Sequence, residues 1–456
     1  MGEILKTTRS ICPTCRESVF ASIETRTGPS AEEVWISRLC EGCGESENKI
    51  SSDARFYWVS QGPREEDLSC GTACGCARPA AGDSVGFLGA NALREVPETD
   101  PIEVMSTCLA LIEIVDSCNL TCPTCFADSP KGTGAEVDAV PLVEIQERIQ
   151  GVIDRKGSLE ILQLSGGEPT LHPQFFELIK WCHENPGIDY VLVNSNGVRL
   201  AGDAEFVARL AEVAEYGHFQ LYLQFDGLDE AADLTLRGSD LRAMKKRAIE
   251  RAGEAGIPIT LAMTVIPENV EQLWKTVEFA LQFDHVRGVA FQPMFGSGRV
   301  HGPQGEEKLN VADILLGLVD QGGGKVSLDD FTPLPCGDPN CATIGYLLKA
   351  EGEVRSISEF VDFATLQGFL SDRVRYRLED LVQCGCESEP LGKLLHELEL
   401  DERHTFRLFV KPFMDDRDWD QDRIDRCCTH VIRPDGQLDS FCRYYRNGGA
   451  KAYVTA

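Results

Sequence analysis

Apolar residues in this chain change their spacing twice, and the changes divide it into blocks. Between residues 109 and 299, short apolar runs alternate with longer stretches whose apolar positions recur every three or four residues. That alternation predicts β/α units with a parallel sheet. Six strands are expected, at 111–116, 159–165, 190–196, 219–226, 259–266 and 289–294. Helices are expected at 141–156, 174–184, 203–216, 240–255 and 270–283, with Pro141 and Asp240 as starts and Gly157 and Gly217 as stops. Six units fit a partial (β/α)6 TIM-like barrel better than a closed barrel of eight.

Before this block, residues 1–59 read as a small β domain. Two apolar-alternating runs flank the Gly28-Pro29-Ser30 turn and predict a hairpin. Residues 60–108 are rich in Gly, Pro and Ala and read as a linker, while residues 300–456 lose the β/α rhythm and read as a C-terminal α+β domain. The charge run at 415–425 is short and mixed in sign, which predicts a solvated face.

The chain has 456 residues, 43% of them hydrophobic and 26% charged, as in ordinary globular proteins. A formal charge of −29 argues against nucleic acid as a partner, because binding it rests on a basic footprint. No stretch approaches the roughly 18 to 20 apolar residues of a membrane span, and the first residues lack a signal-peptide core. A cytoplasmic location is expected. In such a compartment the 19 cysteines point to metal ligation in preference to disulfides.

Their placement carries the chemistry. Cys12/Cys15 and Cys40/Cys43 form two C-x2-C knuckles, a four-thiolate set for one tetrahedral metal, zinc or a mononuclear iron. Cys118, Cys122 and Cys125 form a C-x3-C-x2-C run directly after the first barrel strand. Since an iron–sulfur cluster of this type ordinarily has four thiolates, three leave one iron open to a small molecule. Strand two runs into Gly166-Gly167-Glu168-Pro169, strand three into Asn196 and strand four into Gln224. All four features fall at the strand ends where parallel barrels gather their function. Cys182 sits on an apolar helix face and reads as a packed thiol, and His172 as a cap. Tyr444 and Tyr445 read as core aromatics, and Arg299 as either an anion-holding or a solvated loop residue.

The cysteine run followed by Gly-Gly-Glu-Pro resembles the radical S-adenosylmethionine (SAM) superfamily, over roughly residues 109–299. The resemblance implies a [4Fe–4S] cluster on Cys118, Cys122 and Cys125 with SAM on the open iron. It further implies Gly166, Gly167, Glu168 and Pro169 at the methionyl part, with Asn196 and Gln224 toward the ribose or sulfonium. The implied chemistry is one-electron cleavage of SAM to a 5′-deoxyadenosyl radical, driven by a reductant such as ferredoxin or flavodoxin.

The layout as a whole is similar to a branch that includes archaeal tetraether lipid synthase and the dihydropterin methylase of methanopterin biosynthesis. That similarity rests on the paired knuckles, the Thr107-Cys108-Leu109 junction, Cys125-Phe126-Ala127-Asp128 and the tail from Cys427-Cys428 to Cys442. It implies two auxiliary [4Fe–4S] clusters, one on Cys70, Cys74, Cys76 and Cys108 and one on Cys336, Cys341, Cys442 and either Cys427 or Cys428. Cys384 and Cys386 have no evident partner. The expected function is C–C bond formation at an unactivated carbon with a lipid chain as the favoured substrate; the alternatives are radical methylation of a pterin or other small molecule, and a non-catalytic iron–sulfur electron carrier.

Overall fold

The structure is a computed structural model that describes residues 2–58, 100–105, 107–300, 308–334, 337–350, 353–360 and 404–454. The expected linker ligands Cys70, Cys74 and Cys76, together with Cys336, Cys384 and Cys386, lie outside these residues.

The N-terminal block is larger than the expected hairpin. Strands β1 (Ile4–Ile11), β2 (Ser18–Thr27), β3 (Glu32–Cys40) and β4 (Gly44–Ser51) form an antiparallel sheet in sequence order. Both knuckles are the tight turns that join β1 to β2 and β3 to β4, so the sheet brings their sulfurs to one end. Ala21, Ile23, Val34, Ile36 and Tyr57 alternate inward to make a small core of their own.

The barrel strands are β5 (Leu109–Val115), β6 (Leu162–Gly166), β7 (Val191–Ser195), β8 (Phe219–Gln224), β9 (Ile259–Val265) and β10 (Val286–Pro293). They pair in parallel and in sequence order. Several alternate apolar with polar residues: the apolar ones are buried in the core, while Gln163, Asn194, Gln220 and Gln224 line the barrel interior. The helix Leu142–Lys156 shows the logic: Ile145, Ile149, Val152 and Ile153 form one buried stripe. It stops at Gly157, whose φ of +90° is open only to glycine at little cost.

The segment after residue 300 extends this same sheet. β14 (Thr405–Val410) runs parallel to β10, and β15 (Thr429–Ile432) runs parallel to β5. Beyond them, β12 (Thr343–Ala350) pairs antiparallel with β14 and β16 (Leu438–Ser440) antiparallel with β15, while β11 (Thr332–Pro333) and β13 (Glu353–Ser356) both pair with β12. Both edges of the six-stranded wall are thereby covered by strands from the C-terminal part of the chain.

The charge run is not the solvated face its composition suggests. Asp415, Asp416, Asp420 and Arg423 are buried, because this segment is where the N-terminal sheet docks. Lys6 meets Asp420 at 2.6 Å, Thr8 donates to Asp420 at 2.7 Å and Ser10 donates to the carbonyl of Trp419 at 2.6 Å. The buried Arg38 donates to Ser10 at 2.8 Å and to the carbonyl of Arg417. Paired and hydrogen-bonded, these charges can be removed from water.

Candidate functional site

β5 leads at its C-terminal end into the loop that carries Cys118, Cys122 and Cys125. The three thiols lie at one end of a cavity of about 350 Å³. Two backbone approaches hold the loop against β6. Gly167 donates to the carbonyl of Val115 at 2.7 Å, and Glu168 to that of Ser117 at 3.0 Å. A Cβ on Gly166 would lie 2.2 Å from the Val115 oxygen, and one on Gly167 2.2 Å from the Ser117 oxygen. The two glycines are thus needed for the loop to pack at all, a constraint separate from any ligand.

Glu168 is 1% exposed. Its carboxylate accepts from Thr170 Oγ1 at 2.6 Å, Ser195 Oγ at 3.0 Å and the Asn196 backbone at 2.7 Å. Burial raises its pKa, and those hydrogen bonds oppose the rise. Pro169 follows as the first residue of a short 3-10 turn, buried beside it. Asn196 reaches back to the loop: its side-chain amide donates to Asn119 Oδ1 at 2.6 Å and lies 3.7 Å from Cys118 Sγ. Gly166, Gly167, Glu168, Asn196 and Gln224 all line the cavity with the three cysteines, while Pro169 stands behind the wall.

Residues that sequence reasoning missed complete this end. Arg237 also lines the cavity, its guanidinium forked onto the buried Asp226 at 2.7 and 2.8 Å. Lys245, on the helix Arg242–Glu254, is 1% exposed and donates to Gln224 and to the Asn196 carbonyl. Helical spacing was the available signal, since Lys245 shares a face with the buried Ala248, Ile249 and Ala252. Arg299 is tied to the cysteine loop itself. It donates to the carbonyls of Cys122 (2.8 Å) and Ser129, and pairs with Asp128 at 3.1 Å.

The cavity extends along the barrel from the cysteine end toward the starts of the strands, where Ile161, Tyr190, Pro258 and Arg287 line it. Its middle and far walls carry a belt of hydrogen-bonding side chains. Gln220 accepts from Tyr190 at 3.3 Å and from Arg407 of β14 at 3.2 Å. Gln292 donates to Tyr222 at 3.0 Å, and Asn194 donates to Ser165 at 3.0 Å while accepting from Gln163.

Cys108, Cys341 and Cys428 line the same cavity from the side where β14 and β15 flank the barrel. Cys108 donates its backbone N–H to the Cys428 carbonyl at 3.1 Å. After burial as the main cause, Cys428, Cys341 and Cys442 raise the pKa of Cys427, and Cys341 raises that of Cys442. The expected ligands 341, 427, 428 and 442 are therefore brought into one region, with Cys108 beside them.

On the N-terminal sheet, the sulfurs of Cys12, Cys15, Cys40 and Cys43 all lie within 4.8 Å of one another, with Cys15 and Cys40 at 3.6 Å. The Cys12 thiol is pulled down to about 6, first by the backbone N–H of Cys15. A thiolate so stabilised, among three other sulfurs, suits a tetrahedral zinc or iron.

The donor set at the cysteine loop fits an iron–sulfur cluster on a different ground, since its thiols are shifted upward. Burial pushes Cys118 up to about 12 and raises Cys122. Three thiolates gathered there need a compensating cation, and soft thiolates select iron–sulfur or zinc.

His172 acts as a cap, accepting from the Gln174 backbone at 3.0 Å while its other nitrogen lies 2.9 Å from the Val140 carbonyl. Cys182 is fully buried among apolar neighbours. The hydroxyls of Tyr444 and Tyr445 both donate to Glu113, at 2.7 and 2.9 Å.

Comparison with known proteins agrees with this geometry. Residues 112–280 match the radical SAM superfamily. Residues 4–52 match a family described as the HMPTM N-terminal zinc ribbon domain. Over 96% of its length the chain is 24% identical to 7,8-dihydro-6-hydroxymethylpterin dimethyltransferase of Methanocaldococcus jannaschii, of which it covers 93%. It is also 31% identical, over 37% of its length, to GTP 3′,8-cyclase of Synechococcus elongatus, of which it covers 50%. Among solved structures, Streptococcus suis SuiB bound to S-adenosylmethionine is similar at 18% identity and a TM-score of 0.33, over 42% of this chain and 40% of that one. Among the described residues no helix is long and apolar enough to cross a membrane.

Proposed function

We propose that this protein is a radical SAM methyltransferase that acts on a pterin or a closely similar planar heterocycle. Cys118, Cys122 and Cys125 hold the [4Fe–4S] cluster; Gly166, Gly167, Glu168 and Pro169 form the turn beside the methionyl part of SAM; Asn196 and Gln224 meet its nucleoside part. When bound, cluster and SAM supply one-electron cleavage of the S–C5′ bond. The chain's own residues position the two substrates along the barrel and keep water from the reacting end. A reductant of the ferredoxin or flavodoxin type supplies the electron. Cys12, Cys15, Cys40 and Cys43 hold one zinc or iron, and the cysteines around Cys341 and Cys442 hold an auxiliary cluster.

The observation that carries the choice of substrate is the polar belt of Gln220, Arg407, Tyr190, Gln292 and Tyr222 in the same cavity as the cysteine triplet. These side chains already bond one another, and a lipid chain, the substrate favoured by the cysteine layout alone, would return nothing for the hydrogen-bonding capacity that those mutual bonds leave unused. An edge of ring nitrogens and oxygens would satisfy them. The full-length similarity to a protein named for dimethylating a dihydropterin supports the same reading.

The test uses anaerobically reconstituted full chain with SAM, a strong reductant and 7,8-dihydro-6-hydroxymethylpterin. Release of 5′-deoxyadenosine that depends on the pterin is expected, and Cys118→Ala with Cys122→Ala abolishes it. Formation of 5′-deoxyadenosine with a lipid substrate only would return the assignment to C–C bond formation on alkyl chains. No 5′-deoxyadenosine under any condition would leave an electron carrier.

A further inference from the structure

Lys245 stands behind the cavity wall, where an ammonium is expensive to keep. It is 1% exposed, and burial pulls its pKa down to about 8 against the attraction of Asp226. Its ammonium lies 2.6 Å from the Asn196 carbonyl and 2.9 Å from Gln224 Oε1. These acceptors belong to the ends of neighbouring strands β7 and β8. Asn196 is further tied to the Glu168 carboxylate by its N–H and to the cysteine loop by its side chain.

The chemistry of the contact fixes an orientation. A lysine ammonium has three donors and no acceptor, so the Gln224 amide must turn its oxygen to Lys245. Its NH2 group is then what remains for the cavity that Gln224 lines. A cation 2.9 Å behind the amide also disfavours a second cation in front of it.

We propose that Lys245 is a positioning residue that presents Gln224 as a hydrogen-bond donor, so that Gln224 serves a neutral or anionic oxygen of SAM and not its sulfonium. The inference rests on the reading above that SAM occupies the cysteine end of the cavity.

The test is equilibrium binding of SAM and of S-adenosylhomocysteine to reconstituted full chain. The two probes share every oxygen and differ in the methyl group on sulfur and the charge that it brings. Gln224→Glu loses the donor and pairs with Lys245, so both probes are expected to weaken together, by about ten-fold for one hydrogen bond. Lys245→Met releases the amide and is expected to weaken both by a similar factor, raising the KM for SAM more than it lowers kcat. A Gln224 that faced the sulfonium would instead bind SAM more tightly as Glu, with S-adenosylhomocysteine unchanged or weaker, and that result overturns the proposal. So does unaltered affinity in Lys245→Met that melts at the wild-type temperature. Should Lys245→Met fail to fold, Gln224→Glu decides alone. A wild-type chain that binds neither probe would bring down the SAM site itself, a failure distinct from normal wild-type binding with the affinity for both probes unmoved in the variants.

Discussion

Arg299 donates to the carbonyl oxygen of Cys122 at 2.8 Å, joining the end of the sixth barrel strand to the loop after the first. The backbone N–H of Arg299 adds a second tie, to the Cys125 carbonyl at 3.0 Å. Gly298, at φ +58°, permits the approach, since a Cβ there would lie 2.3 Å from the Cys125 oxygen. The cysteine triplet is therefore shaped from both ends of the sheet.

Arg299→Ala removes the side-chain ties and is expected to cost about 2 kcal/mol, the worth of a charge-assisted hydrogen bond. The loss falls on the loop, so iron retained per chain after gel filtration should drop by half or more while the barrel's melting temperature moves by only a few degrees. Arg299→Lys should recover part of the iron, because an ammonium cannot reproduce the fork. Full iron retention in the alanine variant would show that the loop needs no brace.

Glu168 serves as the corresponding brace between β6 and β7. Glu168→Ala leaves the donors of Ser195, Thr170 and Asn196 buried without an acceptor, for an expected loss of about 2 to 4 kcal/mol in denaturant unfolding. Glu168→Gln turns one acceptor into a donor facing an N–H and should cost about half as much. Two variants as stable as wild type would reduce Glu168 to a ligand contact alone.

Much of this was legible in the chain because strand periodicity, turn glycines and cysteine spacing are local signals. The six strands and the features at their ends fall where alternation placed them. What stayed hidden is non-local. β14 and β15 find their partners more than a hundred residues back in sequence, across the edges of the barrel. The run at 415–425 looks solvated by composition, yet its charges are buried because partners such as Lys6 and Arg38 arrive from the far end of the chain. Arg237 and Asp226 neutralise each other inside the barrel, and neither has a spacing that announces the other.

Arg407 is the cation of the polar belt and comes from β14, outside the six barrel strands. Arg407→Met is expected to raise the KM for the pterin about ten-fold or more, through loss of its own contact and release of Gln220. Cleavage of SAM without pterin should be unaffected, which separates substrate recognition from damage to the cluster. Equal losses in both reactions would mean that Arg407 acts through the fold.

The ribbon metal has a structural readout. Arg16 follows Cys15 and reaches Asp416 at 3.0 Å, and Asp416 also holds Arg446 at 2.6 Å on the helix that bears Cys442. Cys40→Ser should lose one metal per chain, counted as zinc or iron by elemental analysis, and should expose the first 50 or so residues to limited proteolysis. Two auxiliary clusters beside the SAM cluster and an iron in the ribbon predict about 13 irons per chain, against about four irons and one zinc if the auxiliary clusters are missing.

Asp415 links this docking segment to the glycine loop that carries Arg299. It accepts from the Gly296 backbone at 2.8 Å and from Arg417 at 2.8 Å, with Lys308 at 3.5 Å. Those cations and donors hold its pKa well below the ordinary 3.8, in spite of burial. A carboxyl whose folded pKa is depressed contributes stability that is complete above its unfolded pKa and fades as pH falls toward the folded one. Asp415→Asn should therefore unfold more easily than wild type by about 2 to 3 kcal/mol at neutral pH. The gap should narrow steadily below about pH 4, where the unfolded wild-type chain takes up a proton that the folded chain refuses. Urea unfolding of both proteins from pH 7 to pH 3 measures this, and a gap independent of pH would show that the carboxylate charge contributes nothing.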